Sequence, residues 1–241
     1  MTFSYTSGTT GPPKGAMISH RNFASFCGAV AFNKDAGFNQ NDVVLSYLPL
    51  PHVLEREFLF SMFYAGGSIV YYSGDTAKLK DDLALVQPTI FVSVPRLFSR
   101  FYDVLKAKFK EVQGYTKTAL DYAVNTKLST VQSTGRFTHR IYDPIFFNKT
   151  KQALGGKCRL MISGSAPLLP DVQNFLKICM CCPLIEGYGQ TENTGAAFIT
   201  DGSDPITRQV GGPVVIFYFI FSQVLNLNWL IFLKWTTLAL M

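Results

Sequence analysis

The stretch SYTSGTTGPPKGAMISH, from Ser4 to His20, places three glycines, four hydroxyl residues and one lysine within the ten residues Thr6 to Gly15. Small residues let backbone N–H groups come close to a bound anion, hydroxyls hydrogen-bond to it, and an ammonium group offsets its charge. An anion that needs several donors and a cation together is polyphosphate, as in ATP. Gly8 and Gly11 supply the close approach, Thr6, Ser7, Thr9 and Thr10 the hydroxyls, and Lys14 the charge. The spacing differs from the common nucleotide loop, in which the lysine directly follows the second glycine and a hydroxyl residue comes next. Here Pro12 and Pro13 separate Gly11 from Lys14 and Gly15 follows, which disfavours a mononucleotide ATPase. The alternative for the stretch is a polar turn between a strand and a helix capped by Ser19.

A loop of this kind needs strands to hold it. β-rich runs occur at Asp42 to Leu50, Ser68 to Tyr72, Thr89 to Val94, Cys158 to Ile162 and Cys181 to Gly189. Between Pro95 and Gly114, Phe98, Phe101, Leu105, Phe109 and Val112 recur at spacings of three and four, with Arg100, Lys106 and Lys110 elsewhere on the turn, which predicts an amphipathic helix. Alternating strands and helices imply an α/β fold with mostly parallel strands, whose ligands gather at the strands' carboxyl ends. Two further runs end in suitable loops: SGSAP (Ser163 to Pro167) and EGYGQTE (Glu186 to Glu192). Glu55 and Glu57, two positions apart on a helix, diverge and do not make an acid/base pair. Asp75 reads as a turn residue.

Composition narrows the function classes. Of 241 residues, 48% are hydrophobic and 16% charged, which excludes disorder. The net charge of +6 is dispersed, and no basic run with interleaved aromatics marks a nucleic-acid surface. Five cysteines, with Cys179, Cys181 and Cys182 crowded and no second pair at zinc spacing, read as small buried thiols in a reducing, intracellular setting. From Val214 to Leu233 no residue is charged, a length that suits a membrane-spanning helix, although Ser222, Gln223, Asn226 and Asn228 interrupt it and a buried strand also fits.

The glycine loop, LPLPH and EGYGQTE, in that order, resemble the adenylate-forming (AMP-binding) enzymes. LSYLPLPHVLER, QPTIFVSVPRLFSRFYD and LGGKCRLMISGSAPL resemble the long-chain fatty acyl-CoA synthetase branch. The resemblance runs from Thr2 to Pro213. It implies a layered α/β fold, part of the large N-terminal domain of such enzymes, with residues 1–213 as a partial AMP-binding domain and 214–241 as an apolar tail foreign to the family. The implied activity joins a long-chain fatty acid to coenzyme A through an acyl adenylate, using ATP and Mg²⁺. Residue by residue, the resemblance implies that Thr6, Ser7, Gly8, Thr9, Thr10, Gly11 and Lys14 hold the β- and γ-phosphates. Glu192 would hold Mg²⁺ with help from Thr6, and Thr191 would contact the α-phosphate. Gly164, Ser165, Ala166 and Pro167 with Gly187, Tyr188 and Gly189 would form an adenine slot. His52 would stand at the mouth of the acyl site.

Plainer readings exist for three of these: Glu192 as a helix-start carboxylate, Tyr188 as packing, and His52 as a lone histidine beside prolines. The family also has a ribose-gripping aspartate and a C-terminal domain with an adenylation lysine, which nothing here matches. The chain by itself is therefore expected to be inactive, with its last residues either translated non-coding sequence or a membrane tail. The competing function is a non-catalytic, membrane-attached nucleotide- or lipid-binding remnant. The family resemblance implies an intracellular, membrane-associated location: endoplasmic reticulum first, with peroxisome and outer mitochondrial membrane as alternatives.

Overall fold

Short β-branched and aromatic runs separated by helix-length segments bury both faces only as a parallel sheet covered on each side. The computed structural model describes residues 2–6, 12–31 and 37–214. The chain opens with strands β1 (Thr2–Thr6) and β2 (Lys14–Ile18), then helix α1 (His20–Ala31). Strand β3 (Val43–Ser46) leads to helix α2 (Val53–Ala65) and strand β4 (Ser68–Tyr71). Helix α3 (Leu79–Val86) returns to strand β5 (Ile90–Ser93), and the long helices α4 (Pro95–Glu111) and α5 (Gly114–Thr134) follow. The single turn α6 (Asn148–Lys151), strand β6 (Leu160–Ser163), helix α7 (Pro170–Met180) and strands β7 (Leu184–Gln190), β8 (Gly195–Ile199) and β9 (Gly212–Pro213) complete it.

Seven strands form one sheet in the order β4-β3-β5-β6-β7-β8-β9. Neighbours from β4 to β7 are parallel, and β8 and β9 add an antiparallel edge. The side-chain period of two sends Phe91 and Met161 into a core with Phe98, Leu105, Phe147 and Phe175, while Ile90, Val92, Leu160 and Ile162 pack with Val44, Phe58 and Met62 on the opposite face. The strands are shorter than the apolar runs that announced them. In Asp42 to Leu50 only Val43–Ser46 pairs, because Pro49 and Pro51 begin the turn into α2.

The segment after the glycine loop departs from the strand-to-helix expectation. Lys14–Ile18 first forms a strand antiparallel to β1, with Thr6 opposite Lys14, so the loop closes a separate two-stranded hairpin. Ser19 does cap α1: its Oγ accepts from Asn22 N–H at 3.1 Å and its own N–H donates to Asn22 Oδ1 at 2.9 Å. Asp75 caps the short turn Thr76–Lys78, accepting from Ala77 N–H at 2.9 Å.

At the strands' amino ends, Asp42 ties β3, β5 and β6 together. Its carboxylate accepts from Thr89 Oγ1 (2.8 Å), Arg159 Nε (2.7 Å), Arg159 Nη2 (2.6 Å) and the Asn39 amide (2.9 Å). Burial pushes this carboxyl up, but the hydrogen bonds from Arg159, Thr89 and Asn39 outweigh it and hold Asp42 below the ordinary value. This end of the sheet carries structure, which leaves the opposite end for ligands.

Among the described residues no helix is long and apolar enough to cross a membrane. Of the uncharged run beginning at Val214, only Val214 is described; it is buried and donates its N–H to Ala197 O at 2.8 Å. The rest of the expected tail lies outside the described residues.

Candidate active site

Several contacts fix the hairpin, among them the burial of Ile18 with Phe23 and Val53. Ser4 Oγ donates to Pro51 O at 3.3 Å, in the turn that starts α2, and β2 packs against the tight turn Thr191–Asn193 that follows β7. Strand β2, which begins at Lys14, therefore lies beside the turn that carries Thr191 and Glu192. Lys14 and Glu192 are exposed, while Thr6 and Thr191 are half-buried. Ser7, Gly8, Thr9, Thr10 and Gly11, the remainder of the expected phosphate loop, lie outside the described residues. The Thr191–Asn193 turn is held by reciprocal side-chain bonds between Gln190 and Asn193, Gln190 N–H reaching Asn193 Oδ1 at 2.9 Å.

A cavity of about 210 Å³ opens between α1, α2 and the carboxyl ends of β6 and β7. Gly164, Ser165, Gly187, Gly189, Gln190 and Thr191 form one wall, His52, Val53, Leu54, Glu57 and Ser61 another, and Phe26, Val30, Phe38 and Phe58 the apolar side. Residues singled out from three separate motifs thus border one space. Ser165 sits at φ +74, which turns the chain sharply after β6, and Leu168 N–H anchors the far end of that turn on Glu186 Oε1 at 2.9 Å. Ala166 and Pro167 are exposed and outside the lining. Tyr188 also stands outside it, 47% exposed, with its ring 6.2 Å from that of Phe198.

His52 is exposed and caps α2, its Nδ1 accepting from Leu54 N–H at 3.3 Å. In a neutral imidazole that leaves Nε2 as the donor available to the cavity. The other end of α2 closes on Gly66, at φ +72, whose N–H reaches the Met62 and Phe63 carbonyls. A model of the family described as AMP-binding enzyme matches residues 1–218. The chain belongs to the AMP-binding enzyme family.

This AMP-binding chain is 42% identical over 213 residues to the peroxisomal long chain acyl-CoA synthetase 7 of Arabidopsis thaliana, covering 88% of the chain and 30% of that protein. It is 38% identical over 227 residues to long-chain-fatty-acid–CoA ligase 5 of Mus musculus, covering 93% of the chain and 33% of the relative. Among solved structures, the N-terminal domain of FACL13 from Mycobacterium tuberculosis superposes with a TM-score of 0.59 at 16% identity, over 88% of the chain and 42% of that domain. The chain spans about a third of the length of the curated relatives it matches.

The spacing argument that separated Glu55 from Glu57 agrees with the geometry. Glu55 is buried and accepts from Ser46 Oγ, while Glu57 is a residue of the cavity lining whose carboxyl lies against Gly195. Sequence reasoning gave Glu57 no role and named Ser163 only as the first residue of the SGSAP run; Ser163 is buried at the end of β6 and borders the same space. The available signal was periodicity: Val53, Glu57 and Ser61 recur every fourth residue and so share one face of α2. Burial pushes the Glu57 carboxyl well above its ordinary 4.5, against the smaller opposing effect of the Ala196 backbone amide. As pH rises past 4.5 the unfolded chain releases this proton while the folded chain retains it, so Glu57 subtracts from stability up to its folded pKa. Glu57→Gln is expected to remove a slope of up to about 1.4 kcal/mol per pH unit in that window. Chemical denaturation across pH 4 to 8 measures this, and parallel profiles for the two proteins would exclude it.

Among the described residues no three His, Cys, Asp or Glu side chains cluster as a metal cage. A single exposed carboxylate such as Glu192 suits Mg²⁺, which is commonly held by one or two carboxylates with its remaining ligands from phosphates and water.

Proposed function

We propose that this AMP-binding chain is the part of a long-chain fatty acid–CoA ligase that receives ATP and the acyl chain. The observation that carries the reading is one cavity at the carboxyl ends of β6 and β7, with a glycine- and hydroxyl-rich wall and an apolar wall of Phe26, Val30, Phe38 and Phe58. The first wall suits a nucleotide and the second a hydrocarbon. The likeness to long-chain synthetases supports a long chain over an aryl acid.

In this reading the fatty carboxylate attacks the α-phosphorus of ATP, forming the acyl adenylate as pyrophosphate leaves. The thiol of coenzyme A then attacks the acyl carbon, and AMP departs. Lys14 and the loop around it (Thr6 to Gly11) offset the charge of the β- and γ-phosphates, and Thr191 donates to the α-phosphate. Gly164, Ser165, Gly187 and Gly189 flank the adenine from the cavity lining, Ala166, Pro167 and Tyr188 from outside it, with Tyr188 as its aromatic face, and His52 orients the carboxylate at the mouth. Glu192, assisted by Thr6, would hold Mg²⁺, which supplies charge neutralisation at the phosphates. Residues 1–213 form this unit, with 214–241 a distinct apolar segment. The reading includes an intracellular enzyme at a membrane surface, in the peroxisome, as for two Arabidopsis thaliana relatives, or at the endoplasmic reticulum or outer mitochondrial membrane.

Fatty-acid-dependent exchange of labelled pyrophosphate into ATP by the intact gene product tests the assignment. Lys14→Ala and Glu192→Ala are each expected to lower the rate about 10²- to 10³-fold, the usual effect of removing one preorganised group. Unchanged rates in both would sink it.

A further inference from the structure

A second cavity, of about 810 Å³, lies among α3, α4, α5 and α6 and shares no lining residue with the first. Leu97, Phe101, Leu105, Phe109 and Phe146 line it and pack in the core of Phe91 and Met161. Val30, Phe58, Ile162 and Ile185 of the first cavity belong to the core on the other face, so the sheet separates the two spaces. The volume falls in the range that encloses whole small-molecule ligands.

Two kinds of side chain border this space. The apolar walls continue to the surface at Val104 and Ile145, which are 49% and 61% exposed. Beside them Lys80, Arg100, Lys108 and Lys149 are exposed, and none of the four forms an ion pair with a described residue. Surfaces ordinarily intersperse both signs of charge. Here no carboxylate among the described residues borders the cavity, and Asp103 and Glu111, also on α4, are outside its lining.

The cations come from three elements. Lys80 is in the first turn of α3, Lys149 is on α6, and Arg100 and Lys108 stand eight residues apart on α4, about 12 Å along its axis at the helical rise. A head group with several separated phosphates matches charge spread over that length better than a single carboxylate does.

We propose that this second cavity binds a long-chain acyl-CoA, its acyl chain against the apolar walls and the phosphates of its head group against Lys80, Arg100, Lys108 and Lys149. A nucleotide without a chain would leave the apolar walls wet, and a free fatty acid would leave most of the cations without a partner. The ligase reading makes this molecule the enzyme's own product, held apart from the catalytic cavity, but the binding does not depend on that reading.

Equilibrium dialysis of the intact gene product against labelled palmitoyl-CoA, kept below its micelle concentration, tests the site. Wild type is expected to hold an equivalent whose affinity falls at least about 10-fold in the triple variant Arg100→Gln, Lys108→Gln, Lys149→Gln, and which weakens as salt is raised. Val104→Trp keeps all four cations but fills apolar space, and should weaken the same equivalent. CoA without an acyl chain, and palmitate without CoA, should each bind this site at least about 10-fold more weakly than palmitoyl-CoA. Fatty-acid-dependent pyrophosphate exchange should be unchanged in both variants, because none of the altered residues borders the first cavity. Equal palmitoyl-CoA binding by wild type and either variant, or equal binding of CoA and palmitoyl-CoA by wild type, overturns the inference. So does a triple variant that loses adhesion to vesicles of phosphatidylcholine and phosphatidylserine while keeping palmitoyl-CoA binding, since the cations would then serve a lipid surface. Variant-sensitive palmitoyl-CoA binding with no pyrophosphate exchange in wild type would overturn the ligase reading and leave the second site standing.

Discussion

A Gly195→Ala substitution is expected to cost about 2 to 6 kcal/mol of folding stability, adding backbone strain of about 1 to 3 to overpacking of similar size. Gly195 sits at φ +113, a conformation that L side chains rarely adopt, and its missing Cβ is where the Glu57 carboxyl lies. The methyl group would have to displace a buried side chain wedged between α2 and β8, or bend the β7–β8 connection that carries Thr191 and Glu192. Pairing it with Glu57→Ala separates the two causes, because the double variant relieves the packing clash and keeps the strain. Thermal unfolding of the two single variants and the double variant measures both parts. A Gly195→Ala protein as stable as wild type would show that neither the strain nor the clash operates.

The second large effect is expected at Lys127, which is 2% exposed on α5. Its ammonium donates to Asp143 Oδ1 and to Ile178 O (2.8 Å), contacts Cys181 Sγ (3.4 Å) and lies 4.2 Å from the centre of the Phe147 ring. The Ile178 carbonyl is among the last of α7, where helical carbonyls lack partners of their own and the helix dipole is negative. Lys127→Met keeps the length and apolar stem of the side chain but takes the ammonium away from Asp143, which retains the His139 amide (2.8 Å) on Oδ2, and from that carbonyl. A cost of about 3 to 5 kcal/mol is expected, as for removal of one partner from a buried ion pair. Denaturant titration measures it, with Asp143→Asn as the companion variant. A loss below about 1 kcal/mol would mean that the pair is no more than a surface salt bridge in effect.

These two positions also show what the sequence could reveal. The central strands were legible because parallel strands buried on both faces read as short runs of Val, Ile and aromatic residues, and α4 because its apolar residues hold one stripe. The hairpin was not, since KGAMI lacks alternation and its partner TFSYT is too short to announce a pair. Lys127 could not be foreseen as a core residue. Its partners arrive from 16 and 51 positions away, and a lysine on a helix is ordinarily solvated. At the cavity, motif spacing found the glycines and hydroxyls of the loops, whereas Glu57 needed the fold to reveal that it borders the same space. Gly195 went unnoticed for the same reason, because its conformation and its crowding are tertiary facts.

The cavity draws its walls from α1 near the start of the chain and from β8 some 170 positions later, on the base rates of loop closure a distant pairing. Parallel strands joined by long crossovers bring high contact order, and the tie between Asp42 and Arg159 spans 117 positions. Local helices such as α4 and α5 can form early, but the space bordered by Phe26, Glu57 and Ile199 exists only once the late-synthesised edge of the sheet has docked. Ligand affinity should therefore emerge in a refolding reaction together with the last kinetic phase, and during synthesis on the ribosome not until β8 has cleared the exit tunnel. A molecule that fits this cavity would act on the slow end of the folding reaction, as a pharmacological chaperone does, by trapping the docked edge.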